Sequence, residues 1–249
     1  LYRLFHSISA FCNAGFDLFG NYASLASFQH DPLVLFTIAA LIILGGLGFF
    51  VINEFLHDRF HIRKYSLHSK LVLAITAFLL ITGTLLVLAL EWDNPSTLGN
   101  PSYGIGDKVI NAFFQSTTFR TAGFSSIDQA RLTDSTKLVG VILMFIGASP
   151  ASTGGGVKTT TMSVVLLLIA SVIRGRDTVR IFHKQVAPDT VKRALNIVVI
   201  SLSLILVCTC ALSISERASG KSMIDLAYEA TSAFATVGLS AAPSAEEKA

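Results

Sequence analysis

Charged residues are scarce in this 249-residue chain, at 14% of the sequence against 52% hydrophobic residues. Soluble proteins carry roughly a quarter charged residues, so the composition excludes an ordinary soluble protein. Cysteine is scarce too, with three residues in no spacing that predicts a disulfide framework. Two uncharged stretches of twenty residues, 33–52 and 71–90, each have the length of one bilayer crossing. The sequence therefore predicts an all-α polytopic membrane protein.

One pattern of thirteen residues occurs three times, at 5–17, 113–125 and 228–240. Each copy has an aromatic residue first, Ser or Thr fifth, Phe seventh and Gly eleventh. The pattern predicts a half-helix too short to cross a bilayer, which breaks where a small residue, the glycine and an apolar residue follow one another. Glycine accepts a positive φ at little cost, so the break can turn backbone carbonyls to one side. Carbonyls at the C-terminal end of a helix attract cations, which predicts a cation-selective filter.

The predicted ion site comprises four residues from each copy. The residue two before each glycine can cap the half-helix or add a side-chain oxygen to the site. Because its type varies between copies, we expect backbone oxygens to dominate ion binding. The site residues are Asn13, Ala14, Gly15 and Phe16 in the first filter segment, Thr121, Ala122, Gly123 and Phe124 in the second, and Thr236, Val237, Gly238 and Leu239 in the third.

Two further features adjoin these segments. Arg120 precedes the second filter segment and is predicted to pair with an acid such as Asp128 or Asp17, rather than to tune cation entry. The phenylalanine at the seventh position is predicted to pack behind the filter rather than to bind a cation through its ring. These phenylalanines are Phe11, Phe119 and Phe234.

Residues 138–173 are too long for a plain crossing and are interrupted by the polar stretch 149–161. The apolar part before it, 138–148, covers about 17 Å as a helix and therefore ends near mid-membrane. A polar, irregular backbone at that depth cannot face lipid, so it is predicted to line the pore below the filter as a gate. The alternative is a kink packed between helices, with its lysine extended to the inner surface. The predicted gate residues are Gly154, Gly155, Gly156 and Lys158.

The loops differ in charge. Loops 53–70 and 174–193 are rich in Lys and Arg, whereas 91–107 carries three acids and one tryptophan. If the crossings alternate, the positive-inside rule places both basic loops in the cytoplasm. The repeats then re-enter the membrane from outside, and 191–214 forms the last full span.

Rival functions have weaker support. Gly104-Ile-Gly-Asp107 matches the motif of intramembrane aspartyl proteases, but no apolar span holds the second Asp which that chemistry needs. The glycines before Lys158 resemble a phosphate-binding loop without its Gly-Lys pair. His57 and His61 have the spacing of metal ligands but lack the intervening Glu of a metalloprotease. A membrane scaffold without transport would not need three glycine-broken half-helices.

The runs 115–128 (Gln-Ser-Thr-Thr-Phe-Arg-Thr-Ala-Gly-Phe-Ser-Ser-Ile-Asp) and 153–160 (Thr-Gly-Gly-Gly-Val-Lys-Thr-Thr) resemble the Trk/Ktr/HKT superfamily of potassium transporters. The closest likeness is to the Ktr/Trk-type bacterial membrane subunit. The resemblance implies helix, pore half-helix and helix modules, four around a central pore, in a multi-pass protein of the bacterial plasma membrane. It implies K⁺ uptake by a channel or an ion-coupled symport, with a sodium or mixed transporter as the alternative, and no enzymatic activity.

The resemblance also implies partners and module boundaries. The partners are membrane lipid, a second copy in a homodimer, and a cytoplasmic ring of nucleotide-binding regulatory subunits; no nucleic acid and no cofactor besides the transported ion are expected. Residues 1–52 correspond to the pore loop and second helix of module two, 71–173 to module three with its broken second helix, and 191–240 to the first helix and pore loop of module four. On this plan the first module and the last helix are not in the sequence.

Overall fold

The computed structural model describes residues 1–20, 23–58, 61, 64–175, 179–181, 184–217 and 220–241. Within these ranges the regular secondary structure is helical apart from one small hairpin, which confirms the predicted fold class. The helices are α1 (Tyr2–Phe11), α2 (Pro32–Leu47), α3 (Phe49–Asp58), α4 (Leu67–Glu91), α5 (Ile105–Thr118), α6 (Asp134–Phe145), α7 (Thr159–Ile173), α8 (Pro188–Ser215) and α9 (Met223–Phe234), with one 3₁₀ turn at Ala26–Phe28. The hairpin pairs β1 (Arg180–Ile181) with β2 (Lys184–Gln185).

Two helices are long and apolar enough to cross a membrane by themselves. They are α4, with 25 residues, and α8, with 28. Ser66 caps α4 by accepting a hydrogen bond from the Ser69 N–H, and α8 begins with Pro188, whose fixed φ suits a first helical turn. Both predicted spans, 71–90 and 191–214, are therefore confirmed.

The predicted uninterrupted span 33–52 is wrong. The chain bends by 100° between α2 and α3, at Gly48. Gly48 has a φ of +90°, and a Cβ there would lie 2.5 Å from the Pro150 carbonyl oxygen. The Phe49 N–H donates to the Ala151 carbonyl at 2.9 Å, so a distant segment holds the bend. Because α3 continues to Asp58, it also occupies part of the predicted loop 53–70.

The three predicted half-helices are α1, α5 and α9, with 10, 14 and 12 residues. At 1.5 Å per residue they cover about 15 to 21 Å, less than the hydrocarbon core of a bilayer. Asp107 lies in the first turn of α5, and its carboxylate accepts a hydrogen bond at 3.2 Å from the N–H of the N-cap residue, Gly104.

The half-helices have different neighbours. Helix α5 packs between α2 and α4, and α9 packs between α6 and α8, whereas α1 packs mainly on α2. One core cluster joins side chains of α4, α5, α6, α7, α8 and α9, and a second joins α1, α2 and α5. Helix α5 is therefore the half-helix shared by both cores. Gly45 allows α2 to pack closely against the end of α1, since a Cβ there would clash with the Phe11 carbonyl oxygen.

The interrupted span is confirmed, with α6 and α7 separated by residues 146–158, here named the central loop. Helix α6 ends at Phe145, three residues before the predicted end of the apolar part at 148. The ends of the central loop pair with each other through a parallel bridge between Ile146 and Val157. The central loop thus leaves the path of the two helices and returns to it, and main-chain hydrogen bonds hold its two ends together.

Candidate functional site

The backbone of the three filter segments repeats the same local conformation. In each segment two residues have positive φ, the glycine and the residue two before it, and the residue between them does not. Alternating signs of φ let successive peptide groups point to the same side. The values are 51° and 71° at Asn13 and Gly15, 69° and 88° at Thr121 and Gly123, and 56° and 86° at Thr236 and Gly238.

Only the glycines among these residues could be assigned a positive φ from the sequence. Asn tolerates the left-handed region, but a β-branched residue such as Thr121 or Thr236 rarely adopts it. Such strain persists only where the surrounding structure holds it, and it is concentrated at functional sites. The filter segments are therefore held in a conformation that their side chains alone would not select.

The apolar residue that ends each filter segment is tied to its own half-helix. In each copy a hydroxyl of the half-helix donates to the carbonyl of that residue, which fixes the direction of the returning chain. The pairs are Ser9 to Phe16 at 2.8 Å, Thr118 to Phe124 at 2.5 Å, and Ser232 to Leu239 at 2.6 Å. We name these pairs the hydroxyl anchors.

The second copy forms its hydroxyl anchor one residue later in the pattern. Its fifth residue, Thr117, donates instead to the Phe113 carbonyl within α5, at 2.9 Å. The reason is that α5 ends at Thr118, the sixth position, whereas α1 and α9 continue to the seventh. The shared spacing of Ser and Thr in the three copies therefore predicts that a hydroxyl anchor forms, but not which residue of the half-helix donates the hydrogen bond.

The three filter segments lie side by side. A Cβ built at Gly15 would lie 2.5 Å from the Ala122 carbonyl oxygen and 2.8 Å from the Gly123 Cα. A Cβ built at Gly123 would meet the Val237 carbonyl oxygen in the same way. The carbonyls of Ala122 and Val237 thus each face the glycine of the neighbouring segment, and only glycine permits so close an approach. A Cβ at Gly238 would meet none of the described residues within 4 Å.

The central loop contacts all three filter segments. A Cβ at Gly154 would clash with the Thr121 hydroxyl and lie 3.1 Å from the side-chain amide of Asn13. A Cβ at Gly155 would touch the Thr236 hydroxyl. Two of the three predicted gate glycines, Gly154 and Gly155, therefore lie against the first residues of the predicted filter segments, whereas Gly156 lies against Gly147 of the central loop.

Hydrogen bonds hold the central loop in this place. Lys158 is half-buried, and its Nζ donates to the Gly154 carbonyl at 2.6 Å. Thr153 donates through its hydroxyl to the Phe11 carbonyl at 3.1 Å, which ties the loop to the end of α1. The Ser149 N–H donates to the Gly46 carbonyl at 3.1 Å, in the last turn of α2. Lys158 thus folds back onto the loop rather than reaching away from it.

The predicted pairing of Arg120 with an acid is wrong. Asp128 pairs with Arg131 at 3.2 Å, and Asp17 accepts the Phe19 N–H at 2.9 Å. Arg120 is 6% exposed, and its Nε and Nη2 have no hydrogen-bond partner among the described residues. It borders a small cavity, together with Asn13 and the last turn of α2.

The predicted packing of the seventh-position phenylalanines is confirmed at two of three sites. Phe119 is fully buried and meets the Tyr228 ring edge-on, with 6.3 Å between centroids. Phe234 stacks on Phe145 at 6.5 Å. Phe11 is 41% exposed, because α1 has fewer neighbours than the other half-helices. Among the described residues, no group of three or more His, Cys, Asp or Glu side chains could hold a metal ion, so His57 and His61 form no such site.

Comparison with known proteins identifies this arrangement. Residues 2–248 match the family model "TrkH: Cation transport protein". The chain belongs to the TrkH family. It is 43% identical over 246 residues to the Ktr system potassium uptake protein B of Vibrio alginolyticus, an alignment that covers 98% of this chain and 52% of that protein. It is 39% identical over 239 residues to the potassium/sodium uptake protein NtpJ of Enterococcus hirae, with 96% and 52% covered.

A solved structure has the same fold. The potassium transporter TrkH of Vibrio parahaemolyticus matches with a TM-score of 0.72 at 19% identity, over 94% of this chain and 50% of that one. The chain thus spans about half the length of the TrkH-family relatives it matches. The relatives carry the names of cation transporters rather than of enzymes, in agreement with the resemblance drawn from the repeats and the glycine-rich loop.

Proposed function

We propose that this chain forms part of a potassium uptake pore in which backbone carbonyls of the three filter segments select the ion. The observation that carries the proposal is the shared backbone of these segments, placed side by side with the carbonyls of Ala122 and Val237 facing the next segment. The names of two relatives, potassium uptake protein B and potassium/sodium uptake protein, support the same class of substrate.

The chemistry of the site favours a monovalent cation. None of the twelve filter-segment residues is charged, so the ligands are carbonyl dipoles, with hydroxyl or amide oxygens at Asn13, Thr121 and Thr236. Divalent cations such as Ca²⁺ and Mg²⁺ prefer sites with carboxylates. Carbonyl cages that replace the hydration shell of a monovalent ion are the basis of K⁺ selectivity.

The full ring contains four segments in this proposal, as the resemblance implies. Gly238 leaves space for a further segment, since its Cβ position meets no described residue within 4 Å. The proposed modules keep their boundaries at 1–52, 71–173 and 191–240. We refer below to the completed protein, meaning this chain together with a first module and a last helix.

The central loop is the proposed gate. It lies on the permeation path in this proposal because Gly154 and Gly155 touch residues of all three filter segments. Lys158 places a cation next to that path and holds the loop through the Gly154 carbonyl at 2.6 Å. Withdrawal of the loop would then open the pore beneath the filter.

The proposed setting is the bacterial plasma membrane, with the filter facing outward and the basic loops 53–70 and 174–193 in the cytoplasm. A homodimer in lipid and a nucleotide-binding regulatory ring on the inner face complete the proposed assembly. Three basic residues of these loops, Arg59, Arg63 and Arg176, lie outside the described residues, as do the side chains of Arg180 and Lys184. Reversal of Arg176, Arg180 and Lys184 to Glu is expected to abolish co-purification with the ring while membrane insertion continues. Unchanged co-purification would place the docking face elsewhere.

Ion flux tests the function directly. The completed protein, expressed in a host that lacks its own potassium uptake, is expected to restore growth at low K⁺ and to take up K⁺ in preference to Na⁺. Equal uptake of both ions would favour the mixed transporter that the name of the NtpJ relative suggests. Correct membrane insertion without uptake of either ion would contradict the proposal. Comparing uptake with and without Na⁺ distinguishes a channel from a symport.

The gate has its own test. Lys158→Ala, or deletion of Gly154 to Gly156, is expected to raise basal flux and to reduce dependence on the regulatory ring. Lys108→Ala is the matched control, because Lys108 also donates to a main-chain carbonyl, that of Trp92 at 3.1 Å, but outside the filter. Flux that stays low and dependent on the ring in both central-loop variants would make the loop purely structural.

A further inference from the structure

Three buried side chains join the second and third copies behind the filter. Gln115 lies on α5, Gln129 follows the second filter segment, and Tyr228 lies on α9. All three are at least 95% buried. We name this group the amide clasp.

The amide clasp is fully hydrogen-bonded at its centre. The two glutamines exchange hydrogen bonds, with Gln115 Nε2 donating to Gln129 Oε1 at 2.6 Å and Gln129 Nε2 donating to Gln115 Oε1 at 3.1 Å. Gln129 Nε2 also donates to the Ile127 carbonyl at 2.7 Å, and Gln129 Oε1 also accepts from the Tyr228 hydroxyl at 2.9 Å. The Gln129 amide therefore makes all four hydrogen bonds that its atoms allow.

The members of the clasp depart from the repeated pattern. The third position of the pattern is Ser7 in the first copy and Ala230 in the third, but Gln115 in the second. The first position is Phe in the first two copies, and only the third copy has a tyrosine, Tyr228. Two residues that differ from the other copies, Gln115 and Tyr228, therefore both bind the buried amide of Gln129. Formation of a half-helix alone would not require either of them.

The clasp is placed to set the distance between two filter segments. The pair of glutamines closes the loop that contains the second filter segment, since one glutamine precedes that segment and the other follows it. Tyr228 then fastens this closed loop to α9, whose C-terminal end leads into the third filter segment. The first and second segments are linked differently. The Ser125 N–H donates to the Ser24 hydroxyl at 3.0 Å, and the Ser125 carbonyl accepts from the Leu25 N–H at 2.9 Å.

We infer that Gln115, Gln129 and Tyr228 are positioning residues that hold the second and third filter segments at the spacing on which ion discrimination depends. The inference rests on the proposed carbonyl filter. Such a site must be held within about 0.5 Å by the residues that surround it. Buried hydrogen bonds resist small displacements because a broken one leaves polar atoms without water.

The test compares two tyrosines with the same hydrogen bond. Tyr228→Phe removes one hydroxyl and installs the residue that the other two copies carry. Tyr103→Phe is the matched control, because the Tyr103 hydroxyl also donates to a glutamine oxygen, Gln29 Oε1 at 2.6 Å, away from the filter segments. In the completed protein, Tyr228→Phe is expected to lower the K⁺ over Na⁺ preference about fivefold, the factor of one typical net hydrogen bond. Maximal uptake should stay within about twofold of wild type, and Tyr103→Phe should leave the preference unchanged.

A second readout does not depend on transport. Amide hydrogen exchange of residues 121–128 and 236–241 is expected to accelerate in Tyr228→Phe and not in Tyr103→Phe. The triple variant Gln115→Leu, Gln129→Leu and Tyr228→Phe removes every polar side-chain atom of the clasp and leaves only the Ile127 carbonyl without its donor from Gln129, so it is expected to fold while losing more of the ion preference. A folded triple variant with wild-type preference and wild-type exchange would overturn the inference. Absence of K⁺ uptake by the wild-type protein would instead refute the proposed function, and the exchange comparison would still decide the role of the clasp.

Discussion

The first and second filter segments have the same backbone but very different surroundings. Both combine a left-handed residue with a left-handed glycine two positions later. In the second segment Thr121, Ala122 and Phe124 are completely buried, whereas in the first Phe16 is 70% exposed. The comparison shows that the thirteen-residue pattern encodes the local turn, and that neighbouring helices decide how firmly the turn is held.

The difference follows from the position of the half-helices. Helix α5 has α2 on one side and α4 on the other, whereas α1 rests mainly on α2. The second segment also lies between the first and the third. Its Gly123 lies next to the Val237 carbonyl of the third segment and the Gly15 Cα of the first. The second segment is therefore the structural centre of the described part of the filter.

The largest expected effect is the difference between alanine substitutions at Gly123, in the second segment, and at Gly238, in the third. Gly123→Ala introduces a Cβ that clashes with the Val237 carbonyl oxygen, in addition to the strain of a φ of +88°. Gly238→Ala meets the strain alone, since its φ is +86° and its Cβ position is free of described neighbours. For this chain by itself we expect Gly123→Ala to lower the thermal unfolding temperature in detergent more than Gly238→Ala does. In the completed protein, where the proposed fourth segment occupies the space beside Gly238, we expect both substitutions to abolish selective K⁺ uptake, as measured by K⁺ uptake against Na⁺ competition.

Gly123→Ser is expected to behave like Gly123→Ala, because the added Cβ causes the effect. Gly20→Ala is the control, because this glycine lies outside the filter segments, has a φ of +77° and has none of the described residues within 4 Å of its Cβ position. Wild-type affinity for K⁺ and wild-type discrimination against Na⁺ in both Gly123 variants would rule out a filter made of backbone carbonyls.

The second prediction compares the acids that start α5 and α9. Asp225 pairs with Lys137 at 2.7 Å, with side chains 19% and 7% exposed, whereas Asp107 pairs with His30 at 3.2 Å, with side chains 29% and 45% exposed. Loss of one partner from a buried ion pair costs about 3 kcal/mol or more, and loss of an exposed partner costs less than about 1 kcal/mol. Lys137→Met should therefore lower the thermal unfolding temperature in detergent far more than His30→Gln does.

The pH dependence of this pair has a definite sign. Burial by itself would raise the pKa of Asp225, but hydrogen bonds from Lys137 and Ser222 and the Lys137 charge bring the pKa below its usual value of 3.8. The stabilisation is therefore fully present above the unfolded pKa and is lost as pH falls through the lower folded pKa. The difference between wild type and Lys137→Met should be constant from about pH 5 to 8 and should shrink only below about pH 4. A difference that changes near neutral pH would assign the effect to another group.

The smallest expected effect concerns the hydroxyl anchors. Thr118→Val removes a hydroxyl from a buried site and leaves the Phe124 carbonyl without its donor, at a cost of about 1 to 3 kcal/mol. Ser9→Ala removes the equivalent donor beside the exposed Phe16, where water can replace it, so the cost is about 1 kcal/mol or less. Unfolding temperatures and K⁺ affinities of the two variants measure the contrast. Equal losses would show that burial does not control the strength of the anchors.

Several features of this protein could be predicted from the sequence because their causes are local. Two long apolar runs predicted the helices α4 and α8, and the polar interruption at 149–161 predicted the central loop. The repeated glycine predicted where each half-helix ends, since only a few residues before it decide the turn. The same residues carried the resemblance to the family to which the chain belongs.

Other features depend on contacts between residues that are far apart in the sequence. Gly48 bends an apolar run only because the central loop approaches it at Pro150. Arg120 was expected to find an acid nearby, but the fold places it against the end of α2, where the described residues offer its Nε and Nη2 no acceptor. Positive φ at Thr121 and Thr236 opposes the preference of a β-branched residue, so only the surrounding packing could impose it.

The same distinction between local causes and long-range contacts applies to the candidate site. The sequence by itself predicted the twelve residues of the three filter segments and the glycines that interrupt the broken span, because each is marked by spacing within a short stretch. Only the tertiary structure decided that Gly154 and Gly155 contact Asn13, Thr121 and Thr236, and that Gln129 meets Gln115 and Tyr228. Contacts of this kind join residues far apart in the sequence, such as Gln129 and Tyr228 at a separation of 99 positions, and they form only when several helices pack together.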